Sequence, residues 1–78
     1  MRKKETRLVF TYKNTVDAMM MEKLCQEAGA PGRLIPIPSV VSAGCGLCWA
    51  AEPSDREELT ELMREHELEP EGVYEVFF

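Results

Sequence analysis

Seventy-eight residues make one small domain, and a chain of this size buries only about 60% of the surface its unfolded form exposes. With 45% hydrophobic and 29% charged residues the composition is that of a folded chain, with no room for separate cofactor and substrate domains. No apolar run approaches the ~20 residues that span a bilayer, and Met1-Arg2-Lys3-Lys4 leads into no signal-peptide core, so the expected address is the cytoplasm, with no membrane partner.

The net charge of −5 is unevenly spread. Residues 1–51 hold seven basic and four acidic side chains, whereas residues 52–78 hold two basic and ten acidic. The acidic half repels phosphate backbones, and no aromatic residues interleave with a basic patch. Nucleic acid is therefore not an expected partner. The acidic run reads as a solvated helix face.

In chain order, residues 1–6 form a charged extension, and Arg7-Leu8-Val9-Phe10-Thr11-Tyr12 is a β-branched and aromatic strand. Asn14 caps a helix, with Asp17 favouring its positive end. Val16, Met20, Leu24 and Ala28 recur every four residues as its apolar stripe, flanked by Met21 and Cys25. The run Met19-Met20-Met21 reads as core filling and surface. Gly29 ends the helix and Pro31-Gly32 turns the chain.

Arg33 to Pro38 follows as a second strand whose two prolines confine it to an edge. Ser39 to Gly46 is a loop, and Leu47-Cys48-Trp49-Ala50-Ala51 a third strand. Ser54-Asp55-Arg56-Glu57 has the form of a capping box opening a second helix, with Leu59, Leu62 and Met63 on one side. Pro70-Glu71-Gly72 breaks the chain before a last strand, Val73 to Phe78.

The order β-α-β-β-α-β predicts an α+β, ferredoxin-like sandwich over residues 1–78, a four-stranded antiparallel sheet with two helices on one face. The other face is then open. Apolar residues on it, with Phe10, Tyr12 and Phe77 as candidates, would favour a homodimer, although a one-residue slip swaps the two faces.

Chemistry concentrates at Gly44-Cys45-Gly46. Flanking glycines leave the sulfur open to a large reactant and permit backbone angles that aim N–H groups at one point, which favours thiolate. Ser42 adds a hydroxyl, and Arg33 adds charge if its strand passes nearby. The competing reading is a tight loop with an incidental cysteine. Cys45 and Cys48 also form a Cys-x-x-Cys pair, a candidate thiol/disulfide switch. Along an extended strand the two lie roughly 10 Å apart and point to opposite faces, beyond the ~7 Å Cα separation a disulfide tolerates. A metal site is not expected: Cys25 reads as a core thiol and His66 as a residue of the second helix's last turn. Trp49 has the bulk to shape docking near the loop.

Leu34-Ile35-Pro36-x-Pro38, then Ser42-Ala43-Gly44-Cys45-Gly46-Leu47, and a closing Gly72-Val73-Tyr74-Glu75 resemble the selenium/sulfur carrier protein-like family of anaerobic and related bacteria, from the first strand to the last. Ser-x-Gly-Cys-Gly is the most specific part, and Asp17-Ala18 also fits. The resemblance implies a carrier, rather than a stand-alone enzyme, that holds sulfur or selenium on Cys45 as a persulfide or perselenide. It implies donor and acceptor proteins as partners and no bound cofactor. Two departures stand out. Val40-Val41 occupies a stretch that is often polar in the family, which bears on partner choice, and Cys48 stands where a small residue such as alanine is commoner. Cys48 thereby offers a resolving thiol. The rival class is an interaction or small-ligand-sensing module that dimerises through the open sheet face.

Overall fold

The computed structural model describes residues 5–41 and 45–77. Strand β1 (Thr6–Thr11) leads to helix α1 (Thr15–Ala28), strands β2 (Arg33–Pro36) and β3 (Leu47–Ala51), helix α2 (Arg56–Glu65) and strand β4 (Gly72–Phe77). A short 3-10 turn, Pro53–Asp55, precedes α2. The strands form one antiparallel sheet in the order β2-β3-β1-β4, the α+β ferredoxin-like arrangement. Each crossover helix spans the strand inserted between the two it connects, so α1 packs on β3 and β2. Among the described residues no helix is long and apolar enough to cross a membrane.

The helix ends follow their local chemistry. Asn14 Oδ1 accepts the Asp17 N–H at 2.8 Å, and Gly29 closes α1 in the left-handed conformation. The sequence signal at Ser54 is displaced by two residues: the Glu52 N–H donates to Asp55 Oδ2 at 3.1 Å, because Pro53 starts the 3-10 turn and makes Glu52 the cap. At the far end of α2 the N–H groups of Glu67 and Leu68 return to the carbonyls of Arg64 and Met63. This Schellman closure holds Glu67 at φ 56° and drives Leu68 into the core.

Residues directly opposite in antiparallel strands share a face. Phe10 pairs with Trp49, and Trp49 with Leu34, so these lie beneath the helices with Leu8 and Tyr12. Ala18, Met21, Leu24, Cys25, Leu59 and Met63 meet them from α1 and α2. Two expectations are thereby corrected. Phe10 and Tyr12 belong to the covered face and have no exposure at all. The buried stripe of α1 is Ala18, Met21, Leu24 and Cys25, which leaves Val16, Met19 and Met20 in solvent. This helix is apolar on several sides, so two stripes fit its period, and packing selects the one with the small Ala18 and Cys25 against the sheet.

The other face carries Arg33 and Ile35 of β2, Cys48 and Ala50 of β3, Arg7, Val9 and Thr11 of β1, and Gly72, Tyr74 and Val76 of β4. Its centre is closed: Val9, Thr11 and Cys48 are fully buried, and Ala50 nearly so. Tyr74 folds its ring back over Gly72, where an added Cβ would meet ring atoms at 2.8 Å. Thr11 Oγ1 donates to the Gly72 carbonyl at 3.4 Å beside it. The large apolar groups expected to leave this face open lie elsewhere.

Gly32 occupies φ +108°, and an added Cβ would collide with Trp49 Nε1 and stand 2.7 Å from the Ala50 carbonyl oxygen. That indole N–H donates to the Pro31 carbonyl at 3.1 Å, locking the α1–β2 turn to β3. Trp49 is 3% exposed, so it is a core residue and shapes no docking surface. Gly32→Ala must strain both the backbone and this bond. It is expected to lower stability by about 3 kcal/mol in urea unfolding, with a normal slope.

Two core thiols give a pH signature. Burial pushes Cys25 up from 9.0 to about 11, with a smaller contribution from Glu58. Cys48 rises likewise to about 11, through burial and then through Cys45. The folded chain keeps both protons where the unfolded chain has released them. The stability they supply is therefore complete below pH 9 and lost as pH climbs to about 11. Urea midpoints measured across that interval are expected to fall, and Cys48→Ala to flatten the fall.

Candidate functional site

The antiparallel register assembles one end of the molecule from three connections. β1 ends at Thr11, opposite Cys48, and α1 starts four residues later. β2 ends at Pro36, opposite Leu47, and the loop into β3 leaves from there. β4 begins at this end, where the Glu71 N–H donates to the Thr11 carbonyl at 2.7 Å. The Cys45 loop thus shares its end of the sheet with the N-terminus of α1.

The loop is built stepwise. An Ile37 N–H bond to the Gly46 carbonyl at 3.0 Å prolongs the β2–β3 ladder by one rung. Pro38–Val41 forms a tight turn, its closing Val41 N–H to Pro38 carbonyl bond also 3.0 Å long. Val40 at the tip is 65% exposed, while Val41 is buried outside the cluster beneath the helices. Gly46 has φ +101° with open space around its Cβ position. Backbone conformation, not crowding, therefore requires glycine there, and it turns the chain out of the strand immediately after Cys45.

Cys45 is half-buried. Its inner side packs against the core beside Leu47, and its thiol donates to the Leu47 carbonyl at 3.8 Å. That is a long, weak bond that an approaching reactant displaces at small cost. Among the described residues no N–H group donates to this sulfur. Ser42, expected to add a hydroxyl, and Gly44, expected to help aim N–H groups at the sulfur, lie outside the described residues.

Arg33 is not brought to Cys45. It is the first residue of β2 and pairs with Ala50, whereas the loop leaves from Pro36 about 10 Å further along the strand. It lines a hollow at the opposite end with Arg7, Gly32, Ala50, Glu52 and Asp55. The conditional expectation of a charge beside the sulfur fails because the strand approaches the loop with its proline end.

Cys48 lies in the ladder between Ile35 and Thr11, without exposure, and its thiol holds its proton to about pH 11. Cys45 and Leu47 contact the cluster beneath the helices, whereas Cys48 faces the other side of the sheet. Cys25 is equally sealed, in the middle of α1. Tyr12 also belongs to this end, and its hydroxyl donates to Met63 Sδ at 3.2 Å. Burial, followed by Cys25, Asp17 and Cys48, drives that phenol far above its usual range, so Tyr12 acts as a tie between β1 and α2 rather than as an acid. His66 caps the C-terminus of α2. Among the described residues no three His, Cys, Asp or Glu side chains gather within reach of one metal ion.

This end of the molecule can therefore present one sulfur to solvent, that of Cys45, half-buried beside Leu47. No curated protein matches the chain. A family model described as "Putative Se/S carrier protein-like" matches residues 7–75, which runs from β1 into β4 and includes all three cysteines. The chain belongs to this Se/S carrier protein-like family.

Proposed function

We propose that the protein carries a sulfur or selenium atom on Cys45, as a persulfide or perselenide, between a donor and an acceptor protein. The observation that carries this reading is the inequality of the three thiols: Cys25 and Cys48 are buried, and Cys45 alone has access to solvent. In loading, the Cys45 thiolate attacks the outer sulfur of a donor persulfide, R–S–SH. The donor's S–S bond breaks, R–S⁻ leaves as the thiolate, and the transferred sulfur keeps its proton in Cys45–S–SH. Unloading repeats the step, with an acceptor thiolate attacking the outer atom. An R–S–SeH donor passes selenium in the same manner. No oxidant, reductant or cofactor enters either step, and the reducing cytoplasm suits a carrier that must keep its empty form as a thiol.

The family supports carriage in general, and the glycine-flanked position of Cys45 supports its choice as the carrying atom. Ser42 and Gly44 remain part of the proposed loop that holds it. A switch through Cys48 would have to pull that residue from its place between Ile35 and Thr11 and ionise a thiol raised to about 11. A module that dimerises through the sheet face would have a centre already closed to solvent. Neither rival gains an observation of its own.

Intact-mass spectrometry after incubation with inorganic polysulfide tests the reading. Wild type and Cys48→Ser are expected to gain one sulfur atom that reductant removes, and Cys45→Ser to gain none. Equal loading of Cys45→Ser, or no adduct on wild type, would overturn it.

A further inference from the structure

Six large apolar side chains are exposed among the described residues: Val16, Met19, Met20, Val40, Tyr74 and Phe77. Four of these lie at the Cys45 end. Val16 (69% exposed) stands in the first turn of α1, Met19 and Met20 follow in the next, and Val40 (65%) stands in the tight turn Pro38–Val41 that precedes Cys45. Val16, Met19 and Met20 line a hollow of about 360 Å³ together with Glu22 and Lys23. The sequence assigned Val16 and Met20 to the core, and packing turned them outward because Ala18, Met21 and Cys25 fill that place. An apolar group turned to water on a small acidic domain is an adaptable contact surface, and methionine suits irregular partners.

We infer that the outer face of α1 at Val16, Met19 and Met20, together with Val40 of the β2–β3 loop at the same end of the sheet, is where a protein persulfide donor docks to deliver its sulfur to Cys45. The inference rests on the carrier reading and adds the partner's footprint. The occupant follows from the reaction. Cys45 is half-buried, so sulfur-to-sulfur contact requires the donor to cover the loop, and a body of protein size placed there must also cover what adjoins it. Along residues 13–23 Lys13 and Lys23 offset Asp17 and Glu22, so the matching surface is an apolar collar around the donor's cysteine rather than a charged one. A second copy is a poorer occupant: it gives no persulfide to an empty carrier, and both copies carry the same net charge of −5.

The probe is a cysteine desulfurase charged with L-cysteine, a protein donor, run beside inorganic polysulfide, a donor too small to need docking. The test variant is Val16→Asp/Met20→Glu/Val40→Asp. Its positions are exposed, and an acid in the first turn of a helix favours the fold. Desulfurase-driven loading is expected to slow by about tenfold or more, the loss of apolar anchors at an interface, while polysulfide loading stays unchanged. Val16→Asp alone should slow it in part, which decides the matter if the triple variant misfolds. Phe77→Asp, at the other end of the sheet, should load as wild type does.

Equal desulfurase loading of wild type and the triple variant would overturn the inference, as would equal slowing by Phe77→Asp. A wild-type dimer that the triple variant converts to monomer would assign the patch to a second copy and overturn it. Wild type that loads from polysulfide but not from desulfurase would overturn the docking partner and leave Cys45 as the carrier. Wild type that loads from neither would overturn the carrier reading itself.

Discussion

Cys48 sits in a hydrogen-bonded row with Ile35 on one side and Thr11 on the other, and the fate of the neighbouring thiol depends on that pairing. Side chains alternate along β3, so fixing Cys48 on the face away from the helices places Leu47 and Trp49 beneath them. Gly46 then bends the chain out of the ladder, and Cys45 leaves the sheet at the boundary of the core rather than inside it. A register slip of one residue would exchange these positions and turn Cys48 toward the helices. The slip is resisted from both neighbours. Trp49 is tied to the Pro31 carbonyl, and the row through Thr11 is completed by Gly72 under the ring of Tyr74.

Burial and chemical reserve coincide in this small core. The two sealed thiols are protonated at any ordinary pH and cannot compete for an electrophile or a persulfide. Packing alone thus distinguishes three identical functional groups by their access to solvent. Glu57, Glu58, Glu61 and Glu65 lie exposed along α2, while α1 turns Val16, Met19 and Met20 to solvent.

The order of elements and their turns are legible in the sequence because the punctuation is strong: Asn14, Gly29, Pro31-Gly32 and Pro70-Glu71-Gly72 each break a periodic run. So is the inner side of α2, where Leu59 and Met63 stand out against glutamates. Faces are harder to read wherever apolar residues occur on both sides. Leu8 to Tyr12 is buried at every position, so its alternation carries no information about which side the helices cover. Helix α1 has eight apolar residues in fourteen positions and admits two stripes. The glycines that flank Cys45 single it out in the sequence, and the structure leaves it less buried than Cys25 and Cys48. The distance of Arg33 from Cys45 was not legible, because that depends on which end of a four-residue strand meets the loop. The surface around the sulfur was hidden for the same reason as the α1 stripe.

Thr6 pairs with Phe77, so the polypeptide enters and leaves the sheet at one end, and Cys45 projects from the other. The sandwich is therefore polarised like a plug: whatever is attached through either chain direction is held a full strand length from the end that bears Cys45. A fused enzyme, a flexible tether or a solid support joined there would leave the sulfur facing outward. Such a domain can be hung from a larger assembly and presented to successive sites without changing its own fold.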